Sequence, residues 1–186
     1  MASVLIVYGS SYGQTAKIAQ RLADRLTTGG NRVTVWKGDA LPPSPRVDAF
    51  DAYVVAASVL FGKHQPYVRD FVRRNVGRLN AFPSAFVSVC GALAGNWKPG
   101  EDEARKYIAS FLAQTGWRPG VSRSFAGGLP YTHYGIVTRL IMKSISRMTG
   151  RPTDTSRDWE FTDWEEVDRF AGQLTGLLAV PAVRAG

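Results

Sequence analysis

The amino-terminal segment most constrains how this chain can fold, because an apolar run passes directly into a short loop rich in glycine and hydroxyl residues. Residues 4–8 are apolar and partly β-branched, which suits a strand covered on both faces of a sheet. After Thr15, apolar residues at Ile18, Leu22 and Leu26 have the spacing of a helix packed against that strand. The loop between the two elements must therefore turn sharply.

This loop, residues 9–15, predicts a site for a terminal phosphate. Gly9 and Gly13 let the backbone approach a ligand, and the following helix presents unpaired N–H groups and the positive end of its dipole. The predicted contact residues are Ser10, Ser11, Tyr12, Gly13, Gln14 and Thr15. The spacing is neither GxGxxG nor GxxxxGK[ST], which argues against dinucleotide and nucleoside-triphosphate sites. An ordinary serine-rich turn is the alternative.

The loop has the pattern Ser-x-x-Gly-x-Thr, with Ser10 and Thr15 at its ends. In this pattern it resembles the FMN-phosphate loop of flavodoxins, which has hydroxyl residues at the two matching positions. The resemblance implies that FMN is the cofactor.

Length and composition favour one soluble or peripheral domain. The chain has 186 residues, of which 45% are hydrophobic, enough for one well-buried core. We expect a single domain over residues 1–178 and a loose tail over residues 179–186. No apolar run approaches the ~20 residues needed to span a bilayer. A lone cysteine and a first strand that leaves no room for a leader predict a cytoplasmic location.

The charge pattern predicts an acidic partner. The formal net charge is +8, and no Asp or Glu occurs between Ala104 and Thr153, so the basic character lies mainly in the C-terminal half. An anionic membrane surface or a substrate carrying carboxylates would suit this charge. We expect no nucleic-acid partner, because no recognisable binding motif accompanies the basic residues.

Alternating strand and helix patterns predict an α/β fold with a parallel sheet and helices on both faces. The predicted strands are residues 4–8, 32–37, 52–57, 85–89 and 121–125, and the predicted helices are 15–26, 67–79, 101–114 and a final helix that follows a capping box at 162–165 and ends at 178. Five such strands fit the flavodoxin-like order 2-1-3-4-5. Ligands in such sheets bind beyond the carboxyl ends of the strands where the order reverses.

Two further loops at this edge are predicted to hold a flat heterocycle. The residues assigned to it are Ser58, Val59, Leu60, Phe61, Gly62 and His64 in one loop, and Cys90, Gly91, Ala92, Gly95 and Trp97 in the other. Aromatic side chains can stack on an isoalloxazine ring while backbone N–H groups bond its edge. Plainer alternatives are that Phe61 is core, Trp97 is a surface aromatic and His64 is a hydrogen-bonded loop histidine. We interpret Cys90 as a small core residue rather than a nucleophile.

Beyond these loops, several stretches together resemble the menaquinone-dependent protoporphyrinogen oxidase family of flavodoxin-like flavoproteins, nearly end to end. They are residues 13–15, 78–86, 117–119, 139–143, 153–155 and 162–165. The resemblance implies an FMN enzyme of heme biosynthesis that oxidises a porphyrinogen and passes electrons to a membrane quinone. The loop from Cys90 is less basic than the family pattern, and Trp97 has no counterpart there.

The resemblance also implies an insertion near the fifth strand, residues 128–157. Placed on a helix, Arg139, Lys143, Ser146 and Arg147 fall on one face, and Val137, Leu140, Ile141, Ile145 and Met148 fall on the other. With Tyr131 and Tyr134, the three basic residues are candidates for substrate or membrane contact. Three interpretations stay open: an interfacial helix, a helix packed on its own domain, and one wall of a substrate pocket.

Two other functions fit a protein of this kind. One is a flavodoxin-type electron carrier, although such carriers are acidic and this chain is basic. The other is a flavodoxin-like NAD(P)H:quinone oxidoreductase. No residue pair identifies a protein acid or base, so no catalytic residue and no metal ligand is assigned, and His64 is the first residue to test.

Overall fold

A computed structural model of the chain describes residues 1–95 and 99–178, and its centre is a sheet of parallel strands. The strands are β1 Ser3–Gly9, β2 Arg32–Lys37, β3 Ala52–Leu60, β4 Lys63–His64, β5 Ser84–Cys90, β6 Val121–Ala126, β7 Gly128–Leu129 and β8 Trp159–Glu160. The helices are α1 Gln14–Thr28, α2 Pro66–Arg74, α3 Val76–Ala81, α4 Gly100–Thr115, α5 Ile136–Met148 and α6 Trp164–Leu178. The tail predicted over residues 179–186 lies outside the described residues.

The parallel strands follow the order β2-β1-β3-β5-β6, which confirms the predicted order of five. The short strand β4 was not predicted; it pairs antiparallel with the end of β3. It forms because Phe61 and Gly62 have φ values of 48° and 77°, and two consecutive residues with positive φ make the tight turn of a two-residue hairpin. The hairpin directs the loop after β3 back along the sheet edge.

Apolar strands at the centre of the sheet are covered on both faces. On one face, Ile18 and Leu22 of α1 pack with Phe170 of α6 against the sheet. On the other face, Phe71 of α2 and Phe111 of α4 do the same. Both faces therefore exclude water, and ligands can reach the sheet only at its ends.

The helix predicted over residues 67–79 is two helices, because Asn75 interrupts it. The Asn75 side chain donates to the carbonyl of Phe71 at 2.8 Å, and asparagine competes in this way with the helical hydrogen bonds of its own backbone. The buried positions Phe71 and Val72 still agree with the predicted amphipathic pattern.

The predicted capping box at 162–165 is wrong in its details. The Thr162 hydroxyl donates to the carbonyl of Ala126 at 2.8 Å instead of capping the helix. The side chain of Asp163 takes the capping role, since its Oδ1 accepts the N–H of Glu166 at 3.0 Å. Thr162 thus ties the start of α6 to the end of β6.

The segment between β6 and α6 forms a separate flap that carries α5. Its two ends are joined because β7 and β8 pair antiparallel, with Gly128 opposite Glu160. Within the two described ranges, no helix combines the length and the apolar character that crossing a bilayer would require. The flap, residues 128–160, lies beside the carboxyl ends of the sheet strands.

Candidate functional site

A cavity of about 840 Å³ opens at the carboxyl ends of β1, β3 and β5 and is closed on one side by the flap. This volume is within the range of roughly 300–1,000 Å³ that is typical for small-molecule sites. The predicted site residues that border it are Ser10, Ser11, Tyr12, Gln14, Thr15, Ser58, Val59, Leu60, Phe61, Gly62, Cys90, Gly91, Ala92 and Tyr134. The fold therefore brings most of the three predicted loops together.

The loop after β1 is shaped to hold an anion. Gly13 has a φ of 92°, and its N–H donates to Ser10 Oγ at 2.9 Å, which leaves the hydroxyl hydrogen of Ser10 available for a ligand. No side chain caps the start of α1, so the N–H groups of its first turn are available as well. Gly13 shapes the loop without bordering the cavity.

Thr15 gives the clearest sign that this loop accommodates an acceptor group. The residue is fully buried, yet its hydroxyl has no hydrogen-bond partner among the described residues. Buried hydroxyls are nearly always paired in folded proteins. Because Thr15 borders the cavity, a ligand with acceptor oxygens, such as a phosphate, would supply the missing partner.

The loop after β3 is linked to the loop after β1 and presents an aromatic side chain. Gln65 donates its side-chain amide to Ser11 Oγ at 3.1 Å and also to Ser58 Oγ, which joins the two loops. Phe61 is 62% exposed at the mouth of the cavity, so the alternative that it belongs to the core is wrong. Its ring is available to lie against a flat ligand.

His64 does not border the cavity, which corrects its assignment to the cofactor site. Its ring lies between Phe86 and Phe111, with ring centroids 5.4 and 5.0 Å away. Its Nε2 is hydrogen-bonded to Ser88 Oγ at 3.0 Å. The β3–β4 hairpin turns this side chain away from the ligand loops, so the plainer alternative of a hydrogen-bonded loop histidine describes it.

The partly buried His64 should make the protein less stable in mild acid. Burial lowers the pKa of His64 from 6.5 to about 4, so the unfolded chain takes up a proton near pH 6.5 and the folded chain only near pH 4. Stability contributed by the neutral ring is therefore lost as the pH falls through this window, by about 2–3 kcal/mol. Urea denaturation between pH 7 and pH 4 measures the unfolding free energy at each pH. The wild type should lose about 2–3 kcal/mol more over this range than His64→Gln does. Equal pH slopes in the two proteins would contradict the assignment.

The loop after β5 contributes mainly backbone to the cavity. Cys90 is 2% exposed, and burial raises the pKa of its thiol, which agrees with a small core residue and not with a nucleophile. Gly91 and Ala92 border the cavity, whereas Gly95 does not. Trp97 lies outside the described residues.

The flap supplies an apolar wall. Met142, Ile145 and Met148 of α5 border the cavity with Tyr134, and the ring of Tyr134 meets Tyr12 edge-on at 4.9 Å between centroids. The flap thus contacts the loop after β1 directly. One face of α5 is a wall of the cavity, which is the third of the three interpretations given above for this helix.

The other flap residues assigned to substrate or membrane do not border the cavity. The Tyr131 side chain is buried, with its hydroxyl 2.8 Å from Ser146 Oγ and 2.9 Å from the Pro152 carbonyl. Arg139 donates to the carbonyls of Tyr131 and Tyr134. These two residues therefore hold the flap together. Lys143 and Arg147 are exposed on its surface.

Several residues that border the cavity were not identified from the sequence. They are Lys17, Tyr107, Arg151, Asp158 and Glu160. Glu160 pairs with Lys17 at 2.9 Å, and Asp158 accepts from Thr132 at 2.8 Å. Nothing in the local sequence distinguishes these residues from others of the same types outside the cavity, because their positions depend on how the flap folds back onto the sheet.

Comparison with known proteins agrees with this fold. The family model of the flavodoxin domain matches residues 5–156. The protoporphyrinogen IX dehydrogenase (quinone) of Escherichia coli K12 is 32% identical over 97% of this chain and 98% of its own length. The protein of the same name from Leishmania major is 30% identical over 95% of this chain and 77% of its own length.

Solved structures share the fold. A flavodoxin from the domain Archaea superposes with a TM-score of 0.55 at 17% identity, over 96% of this chain and 99% of its own. A mutant flavodoxin from Pseudomonas aeruginosa gives 0.57 at 14% identity, with the same coverage. These results confirm the predicted fold class and the predicted resemblance. The chain belongs to the flavodoxin domain family and, within it, to the family of the protoporphyrinogen IX dehydrogenases (quinone).

Proposed function

We propose that this protein is an FMN-dependent oxidoreductase of heme biosynthesis that oxidises protoporphyrinogen IX to protoporphyrin IX, with a membrane quinone as electron acceptor. The observation that carries the proposal is that one cavity joins an anion-holding loop to an apolar wall from the flap. A flavin and a large substrate with a mostly apolar tetrapyrrole body need both features next to each other. The printed name of the relatives at 30–32% identity supports the same activity.

The residues present suit FMN. Ser10, Thr15 and the first-turn N–H groups of α1 would hold the phosphate, and the unpaired Thr15 hydroxyl is the observation that tests this fit. The loops after β3 and β5 would hold the ring, with Phe61 beside it. When bound, FMN would supply a two-electron acceptor for the hydride that leaves the porphyrinogen in each cycle. That hydride and the proton released with it would end on quinone as quinol, and repeated cycles would complete the porphyrin.

The protein's own contribution is binding, orientation and exclusion of water. Met142 and Ile145 present an apolar surface to the cavity, which suits the tetrapyrrole body and keeps water from the reacting centre. Burial raises the pKa of Tyr134, so its hydroxyl stays protonated at neutral pH. We assign no proton transfer to a protein side chain.

The choice of electron donor tests this proposal against a flavodoxin-like NAD(P)H:quinone oxidoreductase. The FMN-loaded protein should reduce quinone with protoporphyrinogen as donor and should show no comparable rate with NADPH. Formation of porphyrin is read by fluorescence, and NADPH consumption by absorbance. Fast quinone reduction by NADPH without porphyrin formation would contradict the proposal and favour the reductase.

The outer face of α5 is the proposed membrane contact, which would place the protein on the inner face of the cytoplasmic membrane. Ile136, Val137 and Leu140 are 79%, 71% and 61% exposed, so the interpretation that this face packs on its own domain does not hold for them. Lys143 and Arg147 are exposed on the same helix and could lie beside anionic headgroups. A quinone dissolved in the bilayer would then be close to the cavity.

Removing this apolar face should weaken membrane binding. A Leu140→Asp/Ile141→Asp variant should bind anionic vesicles roughly 10- to 100-fold more weakly. Two apolar side chains no longer enter the membrane interface, and two negative charges are brought to the anionic surface instead. Flotation with vesicles containing phosphatidylglycerol measures this. The control Ala109→Asp/Ser110→Asp adds the same charge on exposed positions of α4. Equal flotation of all three proteins would remove the membrane contact from the proposal.

A further inference from the structure

Arg151 is a buried cation without a partner. Its side chain is 8% exposed, and within residues 1–95 and 99–178 the structure gives its guanidinium neither a hydrogen bond nor a carboxylate. The Nε atom is fully buried and unpaired. Burial lowers the pKa of Arg151, but an arginine stays charged in a protein. Such a charge is costly unless something pairs with it.

The local structure fixes where this cation lies. Gly150, with a φ of 67°, ends the helical segment, and the Arg151 N–H donates to the carbonyl of Ser146 at 2.8 Å. A Cβ added at Gly91 would lie 3.3 Å from Arg151 Nη1, and one added at Gly95 would lie 3.2 Å from its Cγ. The side chain therefore lies directly on the loop after β5, where glycines leave room for it.

Other charges around the cavity already have partners. Lys17 pairs with Glu160 at 2.9 Å, and Asp158 lies 3.2 Å from His133. Arg151 borders the same cavity, and its Nε has no hydrogen-bond partner in the described part of the chain. Since residues 1–95 and 99–178 supply no counter-charge, a negatively charged group of a ligand in this cavity would be well placed to pair with Arg151.

We propose that Arg151 faces the pyrimidine edge of bound FMN and stabilises the negative charge that this edge gains on reduction. The inference rests on the proposed function, in which the loop from Cys90 to Gly95 lies at the ring edge. A hydride taken from the porphyrinogen would leave a negative charge spread over N1, C2 and O2 of the ring. Transfer of that hydride to quinone, together with the proton that the porphyrinogen releases, would remove the charge. A nearby cation binds the reduced ring more tightly than the oxidised ring and so raises its potential.

The midpoint potential of the bound flavin tests this role. Arg151→Met should lower the affinity for reduced FMN relative to oxidised FMN about tenfold, which is a shift of about 30 mV to lower potential. Arg151→Lys keeps the charge and should retain most of the wild-type potential. The control Arg118→Met removes an exposed cation outside the cavity and should leave the potential unchanged. Anaerobic equilibration with a redox dye gives the potential of each holoprotein.

Three outcomes would overturn the inference. An unchanged potential in Arg151→Met with a raised KM for porphyrinogen would assign Arg151 to a substrate carboxylate. An unchanged potential with unchanged KM would leave it a structural residue. Failure of the wild-type protein to bind FMN would remove the inference together with the proposed function. FMN binding by the wild type is measured before any variant is made, so the two failures are distinguished. Thermal unfolding of the apoproteins should show Arg151→Met to be no less stable than the wild type, because a buried unpaired charge is replaced by an apolar chain.

Discussion

A Ser10→Ala/Thr15→Val variant should bind FMN roughly 100- to 10,000-fold more weakly than the wild-type protein. In the proposed site each hydroxyl would donate a hydrogen bond to the phosphate, and a hydrogen bond to a charged group contributes about 1.5–3 kcal/mol. The Thr15 hydroxyl has no partner within residues 1–95 and 99–178, so its loss should not weaken the fold. Fluorescence titration of the apoprotein with FMN measures the effect.

Riboflavin is the matched control ligand, because it lacks only the phosphate. The double variant should bind riboflavin as the wild-type protein does. Thr28→Val, at the other end of α1, should affect neither ligand. Equal losses for FMN and riboflavin would mean that the loop does not hold the phosphate and that the variant has disturbed the ring site instead.

A Trp117→Ala variant should lose about 3–5 kcal/mol of unfolding free energy, as is usual when a large buried aromatic side chain is removed. Trp117 is 1% exposed and packs against Phe86, with ring centroids 5.5 Å apart. Its Nε1 donates to Ser84 Oγ at 3.1 Å. The side chain therefore joins the segment before β6 to β5, the strand that leads into the third loop at the cavity.

Urea denaturation measures this loss, and Trp117→Phe provides the comparison. The phenylalanine keeps most of the apolar contact and loses the hydrogen bond to Ser84, so it should be destabilised by about 1–2 kcal/mol. A loss below about 1 kcal/mol in Trp117→Ala would contradict the packing described for this face of the sheet.

The sheet could be predicted because its signal is local. β2 begins and ends where the sequence pattern places it, at Arg32 and Lys37, and the central strands are apolar because helices cover both faces. Alternation of strands and helices with right-handed crossovers predicted a parallel sheet, and the order of its strands followed from the fit to flavodoxins. The loops that border the cavity followed in turn, since they are the segments after β1, β3 and β5.

Side-chain direction in the loops could not be predicted in the same way. His64 and Phe61 are three residues apart in one loop, yet Phe61 is exposed at the cavity and His64 lies among core aromatic rings. The unpredicted hairpin between β3 and β4 separates them. Its turn requires a positive φ at Phe61, a conformation that the local sequence does not favour for this residue type.

The flap shows the same limit. The amphipathic pattern correctly placed a helix over α5, but periodicity cannot say which face meets the protein. Ser146, on the polar face, is buried and hydrogen-bonded to Tyr131, while Leu140 on the apolar face is exposed. Arg151 likewise looks like any other cation of the basic half until the flap folds back over the loop after β5.

Porphyrin formation without oxygen tests most directly whether one cavity holds FMN and whether the FMN-loaded protein oxidises a porphyrinogen with quinone. Protoporphyrinogen IX is mixed with quinone under anaerobic conditions, and porphyrin fluorescence is followed for three samples: protein stripped of flavin, the same protein reloaded with FMN, and the same protein given riboflavin. We expect rapid, quinone-dependent formation of porphyrin only after FMN is restored. A reloaded protein that binds FMN but forms porphyrin no faster than the stripped protein would contradict this expectation.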